Sequence, residues 1–288
     1  MARSHILAKY LKGPEQMLKR IMIIAGIFMM TTGFIGGFSS NAPEIWDIWE
    51  DNNPENSQPI DHSAWDGLLK KYITKDTTGL NRFAYGKVSV EDNKALNAYI
   101  KTMSEIEISD RARPVQFAYW VNMYNALTIK VIMDNYPVKS IRDIDTSGIF
   151  ANGPWGSELI TIEDEVLTLD DIEHGILRPI WKDPRIHYAV NCASIGCPNL
   201  SKEAFTAKNT EKLLEEGAKA YINHPRGFEI SDGELIVSSI YKWFAYDFGN
   251  SEKGVIAHLT KYATPENVAK LESVKEISDT DYDWSLNE

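Results

Sequence analysis

Cys192 and Cys197 are the only two thiols of this 288-residue chain. They share one stretch with a histidine, His187-Tyr188-Ala189-Val190-Asn191-Cys192-Ala193-Ser194-Ile195-Gly196-Cys197-Pro198. Far upstream, the apolar segment Trp120-Val121-Asn122-Met123-Tyr124-Asn125-Ala126-Leu127 carries two amides one helical turn apart. Thiols and amides set in apolar surroundings cost free energy unless they are satisfied or used. A cysteine becomes a nucleophile when a neighbouring base takes its proton, and histidine is the side chain best suited to that at neutral pH. The chemistry these residue types point to is attack by sulfur on an acyl carbon.

Each candidate has a functional and a packing reading. Residues 185–192 read as a strand, in which His187, Ala189 and Asn191 face one side and Cys192 the other. Cys197 lies past a Gly-Cys-Pro turn and can fold back, so Cys197 is the candidate nucleophile and His187 its base. Asn122 and Asn125 would orient the histidine or line an oxyanion site. The packing alternatives are a Cys192–Cys197 disulfide or a buried thiol, a satisfied core histidine, and amides that hold loop backbone. His174 and Arg178 stand four apart on one helix face, a spacing that can hold a carboxylate. With Trp120 and Tyr124 they form the candidate substrate-binding set; their alternative is favourable charge at a helix C-terminus. Cys192, Cys197, His187 and His174 supply zinc-type atoms, but no compact Cys-x-x-Cys spacing accompanies them. Neither a Gly-rich phosphate loop nor a Gly-x-Ser-x-Gly elbow occurs. The reading therefore assigns no metal site and no cofactor.

Charge is distributed unevenly. The chain carries 30 basic and 41 acidic residues, net -11. Residues 1–20 hold five of the basic and one of the acidic residues, which leaves 25 against 40, or -15, for the rest. An acidic body of this kind excludes a nucleic-acid backbone as the expected partner. The basic start precedes an apolar run at residues 21–30 that softens into Thr, Gly and Phe up to Phe38. That order reads as an export signal or N-terminal membrane anchor over residues 1–42, with a linker at 43–60 and a globular domain at 61–288. The expected location is exported, in the periplasm or cell envelope, and membrane-anchored if the segment is retained. Membrane contact would then come through this segment only. In an oxidising compartment the two cysteines would be free to pair.

Within the domain, apolar spacing predicts helices over residues 63–73 and 89–103. A longer helix opens at Pro114 and stops before Pro137; it has almost no polar face and must be central and buried. Hairpins are predicted around Glu163-Asp164 and Ser231-Asp232-Gly233. A helix over residues 169–177 starts after Thr168 and ends at Arg178-Pro179, and a long amphipathic helix spans residues 201–222. Helices interleaved with antiparallel hairpins give the fold class α+β, a helix-rich single domain with a buried central helix packed on a small antiparallel sheet.

The chain also resembles the domain of unknown function family number 547. The matching blocks are residues 117–127, Leu169-Asp170-Asp171-Ile172-Glu173-His174-Gly175-Ile176-Leu177-Arg178-Pro179, residues 183–198, Tyr241-Lys242-Trp243-Phe244-Ala245-Tyr246-Asp247-Phe248 and Tyr282-Asp283-Trp284-Ser285-Leu286-Asn287. The resemblance implies a fold and a shortlist of residues, and no reaction. In outline the expected architecture is similar to papain-like and transglutaminase-like thiol enzymes. Those enzymes place the cysteine at the start of the central helix, whereas this helix carries Asn122 and Asn125 and no cysteine. Two functions follow as expectations. One is a thiol-dependent hydrolase or acyl-transfer enzyme acting on peptide or amide bonds. The other is a non-catalytic envelope module with a Cys192–Cys197 disulfide and a cleft near His174 and Arg178 for a peptide or small acidic ligand.

Overall fold

Local signals in the computed structural model set most of the helices. The structure describes residues 37–144 and 153–288, so the expected export segment lies largely outside the described residues. Asp61 accepts the Ser63 amide ahead of α1 (Ser63–Tyr72), whose buried face is Trp65, Leu68, Leu69 and Tyr72. Ser89 caps α2 (Val90–Ser104) by accepting the Asp92 amide, and Leu96, Tyr99, Ile100 and Met103 form its inner stripe. Both show the three- and four-residue recurrence of a half-buried helix. The third helix, α3 (Arg113–Asn135), carries Pro114 in its first turn and is buried on every side. It is the axis of the larger hydrophobic core.

Around α3 pack α2 and a π-helical segment, Asp171–Leu177, that runs on into α4 (Arg178–Trp181). The helical path therefore continues beyond Arg178-Pro179, where the sequence signal placed its end. Pro179 lies inside this continuing path, so its missing N–H leaves the Gly175 carbonyl without an intrahelical partner, and the Trp46 amide takes that carbonyl instead. Helix α5 (Thr210–Ile222) is shorter than the expected span from residue 201. Residues before it are held as a loop: the Ser201 hydroxyl closes a local turn at Glu203, and Asp66 and Asn122 take the amides of Ala204 and Phe205.

Strands are few and short. β1 (Ile73–Lys75) pairs with β2 (Asn81–Phe83), and β3 (Ile160–Ile162) with β4 (Glu165–Leu167). Glu163 and Asp164 both have positive φ, 49° and 65°, as the two-residue turn between β3 and β4 requires. β5 (Phe228–Ser231) and β6 (Glu234–Ser238) form the second expected hairpin, and β7 (Asp279–Asp281) adds to β6 in parallel. That parallel strand corrects the expectation of a purely antiparallel sheet. The three sheets of the described residues are small and separate, and α3 packs mainly on helices, so the fold is helix-rich α+β, as expected. Helices α6 (Ile240–Trp243), α7 (Glu252–Tyr262) and α8 (Pro265–Glu272) complete the set. Parts of α5 to α7, with Leu271 of α8, enclose a second core beside the three-stranded sheet.

Residues 37–60 are tied to this body. The Trp46 amide donates to the Gly175 carbonyl at 3.0 Å, and Trp49 meets Trp120 edge-on at 5.0 Å. Among the described residues no helix is long and apolar enough to cross a membrane.

Candidate functional site

The strand expected at residues 185–192 is instead a tight 3-10 turn, Pro184–Tyr188, followed by a loop. Pro184 fixes the first backbone angle, and the Asp183 carboxylate accepts the Arg185 amide at 2.9 Å. The run is apolar because it lies between the two cores: Ile186 and Ala189 join the first, Tyr188 the second. A continuous buried stretch has no periodicity to distinguish a strand from a turn. The two-sided argument that separated His187 from Cys192 therefore does not apply.

His187 is 3% exposed, and both ring nitrogens are occupied. Nε2 is 2.7 Å from Asp247 Oδ2 and Nδ1 is 3.5 Å from Glu173 Oε1. The ring stacks on Phe244 at 4.3 Å. Arg178 donates through Nε to the same Asp247 oxygen at 2.6 Å, and its Nη1 lies 3.2 Å from His174 Nδ1. His174 Nε2 in turn faces Asp170 at 3.7 Å. Burial raises the pKa of Glu173, but His174, His187 and Arg178 more than reverse this, to about 2. Burial raises Asp247 as well, but the bonds and charges of His187 and Arg178 together bring it to about 2. Burial works against a charged His187, yet its bonds to Asp247 and Glu173 hold its pKa above the ordinary value. Two carboxylates thus face one imidazolium and one guanidinium. The remaining pair yields to that balance. Burial, then the charges of Glu173 and Asp171, lift Asp170 to about 7, and burial brings His174 down to about 4.

The thiols form a second cluster. Both cysteines are free, Cys192 partly exposed and Cys197 buried. Cys197 Sγ accepts the Cys192 backbone N–H at 3.0 Å and the Tyr282 hydroxyl at 3.1 Å. Tyr282 Oη also lies 3.1 Å from Cys192 Sγ and 2.9 Å from Ser194 Oγ. Burial alone would raise the Cys197 pKa. Hydrogen bonds from the Cys192 thiol and amide and from Tyr282 outweigh it and lower Cys197 to about 7, while burial keeps Cys192 well above its ordinary value. The direct hydrogen-bond partners of the sulfur are neutral thiol, hydroxyl and amide groups, with the Arg226 guanidinium behind them on the Cys197 carbonyl.

The turn that presents the sulfurs is held from several sides. Ala193 adopts a left-handed backbone, φ 59°. The Ile195 and Gly196 amides donate to the carbonyls of Ser285 and Asp283 at 2.8 and 2.7 Å. A Cβ on Gly196 would lie 2.9 Å from the Asp283 nitrogen and the Tyr282 ring, so only glycine admits the tail this close. Arg226 donates to the carbonyls of Ile195 and Cys197.

Asn122 and Asn125 each clamp a loop. Asn122 exchanges two hydrogen bonds with the Phe205 backbone, at 2.8 and 2.9 Å. Asn125 donates to the Ala189 carbonyl and accepts the Asn191 amide, both at 2.9 Å. Their amides are fully used in holding backbone, the second of them between His187 and Cys192. Trp120 is enclosed by Trp49 and Tyr119 and has no face for a substrate. Tyr124 is buried between the clusters: after burial, Glu173 and then Cys192 and Cys197 raise its pKa, and its hydroxyl is hydrogen-bonded to Glu173.

The structure therefore brings His174, Arg178 and His187 together, and keeps Cys197 in another set. The expected Cys197–His187 pair is not formed, because carboxylates hold both imidazole nitrogens. The expected disulfide is not formed either; a backbone amide points at the Cys197 sulfur instead. Asp247, Tyr282 and Ser194 were not singled out from the sequence, although all three lie in blocks that carried the family resemblance. Among the described residues no group of His, Cys, Asp and Glu is placed to hold a metal ion.

Residues 108–222 match the family model described as Protein of unknown function, DUF547. This span holds both thiols, Glu173, His174, Arg178 and His187, whereas Asp247 and Tyr282 lie beyond it. No curated protein and no solved structure matches the chain.

Proposed function

We propose, from the premise that residues 108–222 are a DUF547 region, that the protein is a thiol-dependent acyl-transfer enzyme or hydrolase acting in the cell envelope. The observation that carries the reading is the Cys197 sulfur, which accepts the Cys192 amide and the Tyr282 hydroxyl beside a partly exposed Cys192 thiol. Hydrogen bonds to the charged form favour a thiolate. Cys197 is too enclosed to meet a substrate, so the roles divide. Cys192 Sγ attacks the acyl carbon and its proton passes to the Cys197 thiolate. The leaving amine or alcohol then takes that proton from Cys197, and water or a second acceptor releases the acyl group from Cys192. His187 does not act as the base in this scheme; its cluster fixes the turn from which the thiol loop departs.

The substrate side of Cys192 is aromatic. Tyr282, Trp243 and Trp284 are partly buried and pack together with ring centroids 4.6 to 5.5 Å apart. Such surfaces suit peptidic and acyl ligands. The envelope location rests on the basic and apolar order of residues 1–38; a reporter fused after residue 45 and retained in the cytoplasm would remove it. The chemistry is tested with p-nitrophenyl acetate as a generic acyl donor. An acetyl group on Cys192 that turns over, and its loss in Cys192→Ser, is the expected result. Equal turnover by wild type and Cys192→Ser would overturn the proposal.

A further inference from the structure

Acyl transfer needs one attacking sulfur, and the site holds two that differ in access. Both lie 3.1 Å from the same Tyr282 oxygen, so they are at most 6.2 Å apart. Cys192 is the more exposed residue of the two, and Cys197 is buried. The turn between them is fixed by the left-handed Ala193, the tail packed on Gly196 and the Arg226 bonds to two of its carbonyls. No imidazole takes part, since the His187 nitrogens face Asp247 and Glu173. An accessible thiol backed by a shielded one on a fixed turn is what exchange with an external disulfide requires.

We infer that Cys192 and Cys197 form a dithiol–disulfide exchange centre, in which Cys192 attacks an external disulfide and Cys197 resolves the mixed disulfide. In the first step Cys192 sulfur bonds to one sulfur of the external disulfide. That S–S bond breaks, and the second sulfur leaves as a thiolate with the electron pair. In the second step Cys197 thiolate attacks Cys192 sulfur and expels the other external sulfur as thiolate. The external disulfide is reduced to two thiols, and the Cys192–Cys197 dithiol is oxidised to a disulfide. The two protons of the dithiol end on the two departing thiolates. The lowered pKa of Cys197 suits the resolving step, because it supplies thiolate at neutral pH.

The proposal extends the use of the site beyond acyl transfer, and its test reads a different product. Native, reduced protein is mixed with the aromatic disulfide 5,5′-dithiobis(2-nitrobenzoate), and the product is identified by intact mass and peptide mapping. Wild type should release two equivalents of reagent thiol and end as unlabelled protein with a Cys192–Cys197 bond. Cys197→Ser should release one equivalent and keep a mixed disulfide on Cys192. Cys192→Ser, left with the shielded sulfur, should react about tenfold more slowly or less. Wild type that accumulates reagent adducts without an internal bond would overturn the proposal, and that reading stands whether or not either variant folds. Acetylation of Cys192 in the ester assay, together with such adducts, would sink the exchange centre and leave acyl transfer standing.

Discussion

Two buried polar clusters lie a few residues apart in this protein, and they are stabilised by opposite means. Around His187, two carboxylates face an imidazolium and a guanidinium, and each charge is neutralised by contact. Around Cys197, one tyrosine hydroxyl, one serine hydroxyl, a second thiol and a backbone amide touch the sulfurs, and the one cation, Arg226, is held on backbone carbonyls of the turn. Ion pairing in a low-dielectric interior ties up every proton, so the first cluster is a brace. The second divides its acidity unequally: Cys197 is brought to about 7 while Cys192 and Tyr282 are held well above their ordinary values, so Cys197 is the group that yields its proton near neutral pH. Burial alone does not separate a scaffold from a reactive centre; the kind of partner does.

Breaking the brace should have the largest effect. Arg178→Met leaves Asp247 buried beside a single imidazolium and should cost on the order of 3–5 kcal/mol in urea unfolding. A loss below about 1 kcal/mol would mean that solvent reaches Asp247 and that the two clusters are less different than described. The link between the regions comes next. Asn125→Leu strips partners from the Ala189 carbonyl and Asn191 amide and should cost about 1–3 kcal/mol, with a similar cost for Asn122→Leu at the Phe205 loop. Unchanged melting in both variants would show that these amides do not carry the loops.

Asp170→Asn sharpens the contrast with a gain. The folded pKa of Asp170 is raised to about 7, so the unfolded chain releases this proton first. The wild type therefore loses stability as pH rises from about 4 to 7. The variant escapes that loss and should be more stable above pH 7, by on the order of 4 kcal/mol, with the advantage gone near pH 4. Glu173 and Asp247 have the opposite sign. With folded pKa values of about 2, their contribution is complete above the ordinary carboxylate range and is lost as pH falls through about 2. The raised His187 contributes fully below its ordinary pKa, near 6.5, and its contribution fades as pH climbs through the higher folded value. A melting profile that rose steadily with pH through this range would contradict the assignment of the brace.

The smallest stability effect should fall on the reactive cluster. Tyr282→Phe keeps the ring packing and removes one hydroxyl, for about 1 kcal/mol. Its consequence appears in titration instead. Thiolate absorbance, which should rise through about pH 7 in wild type, should move to higher pH in the variant. A profile that does not move would mean that Tyr282 packs against the sulfurs without stabilising the thiolate.

What could be read from the residues follows the range of the interactions. The buried α3, the Glu163-Asp164 and Asp232-Gly233 turns and the location of the thiol loop all follow from neighbours in sequence, through apolar spacing and turn chemistry. Residues 185–192 were misread because they are buried from both sides, which erases the alternation that marks a strand. The partners of the site were out of reach for a different reason. Asp247 is 60 positions from His187, and Tyr282 is 85 from Cys197. No local pattern reports such a pairing. Proximity of His187 and Cys197 in the chain suggested a dyad, and long-range contacts gave each a different partner.

The tail that carries Tyr282 also sets an order of events. Both cysteines, their turn and Arg226 precede the hydroxyl by more than fifty residues, and that hydroxyl arrives only with the segment that follows β7. A nascent chain that has emerged no further than β5 holds its two sulfurs as ordinary, weakly acidic thiols. The environment that lowers Cys197 is complete only when residues 282–287 dock beside the loop and the Ile195 and Gly196 amides find their carbonyls. The proposed thiol chemistry therefore waits for the docking of this late segment.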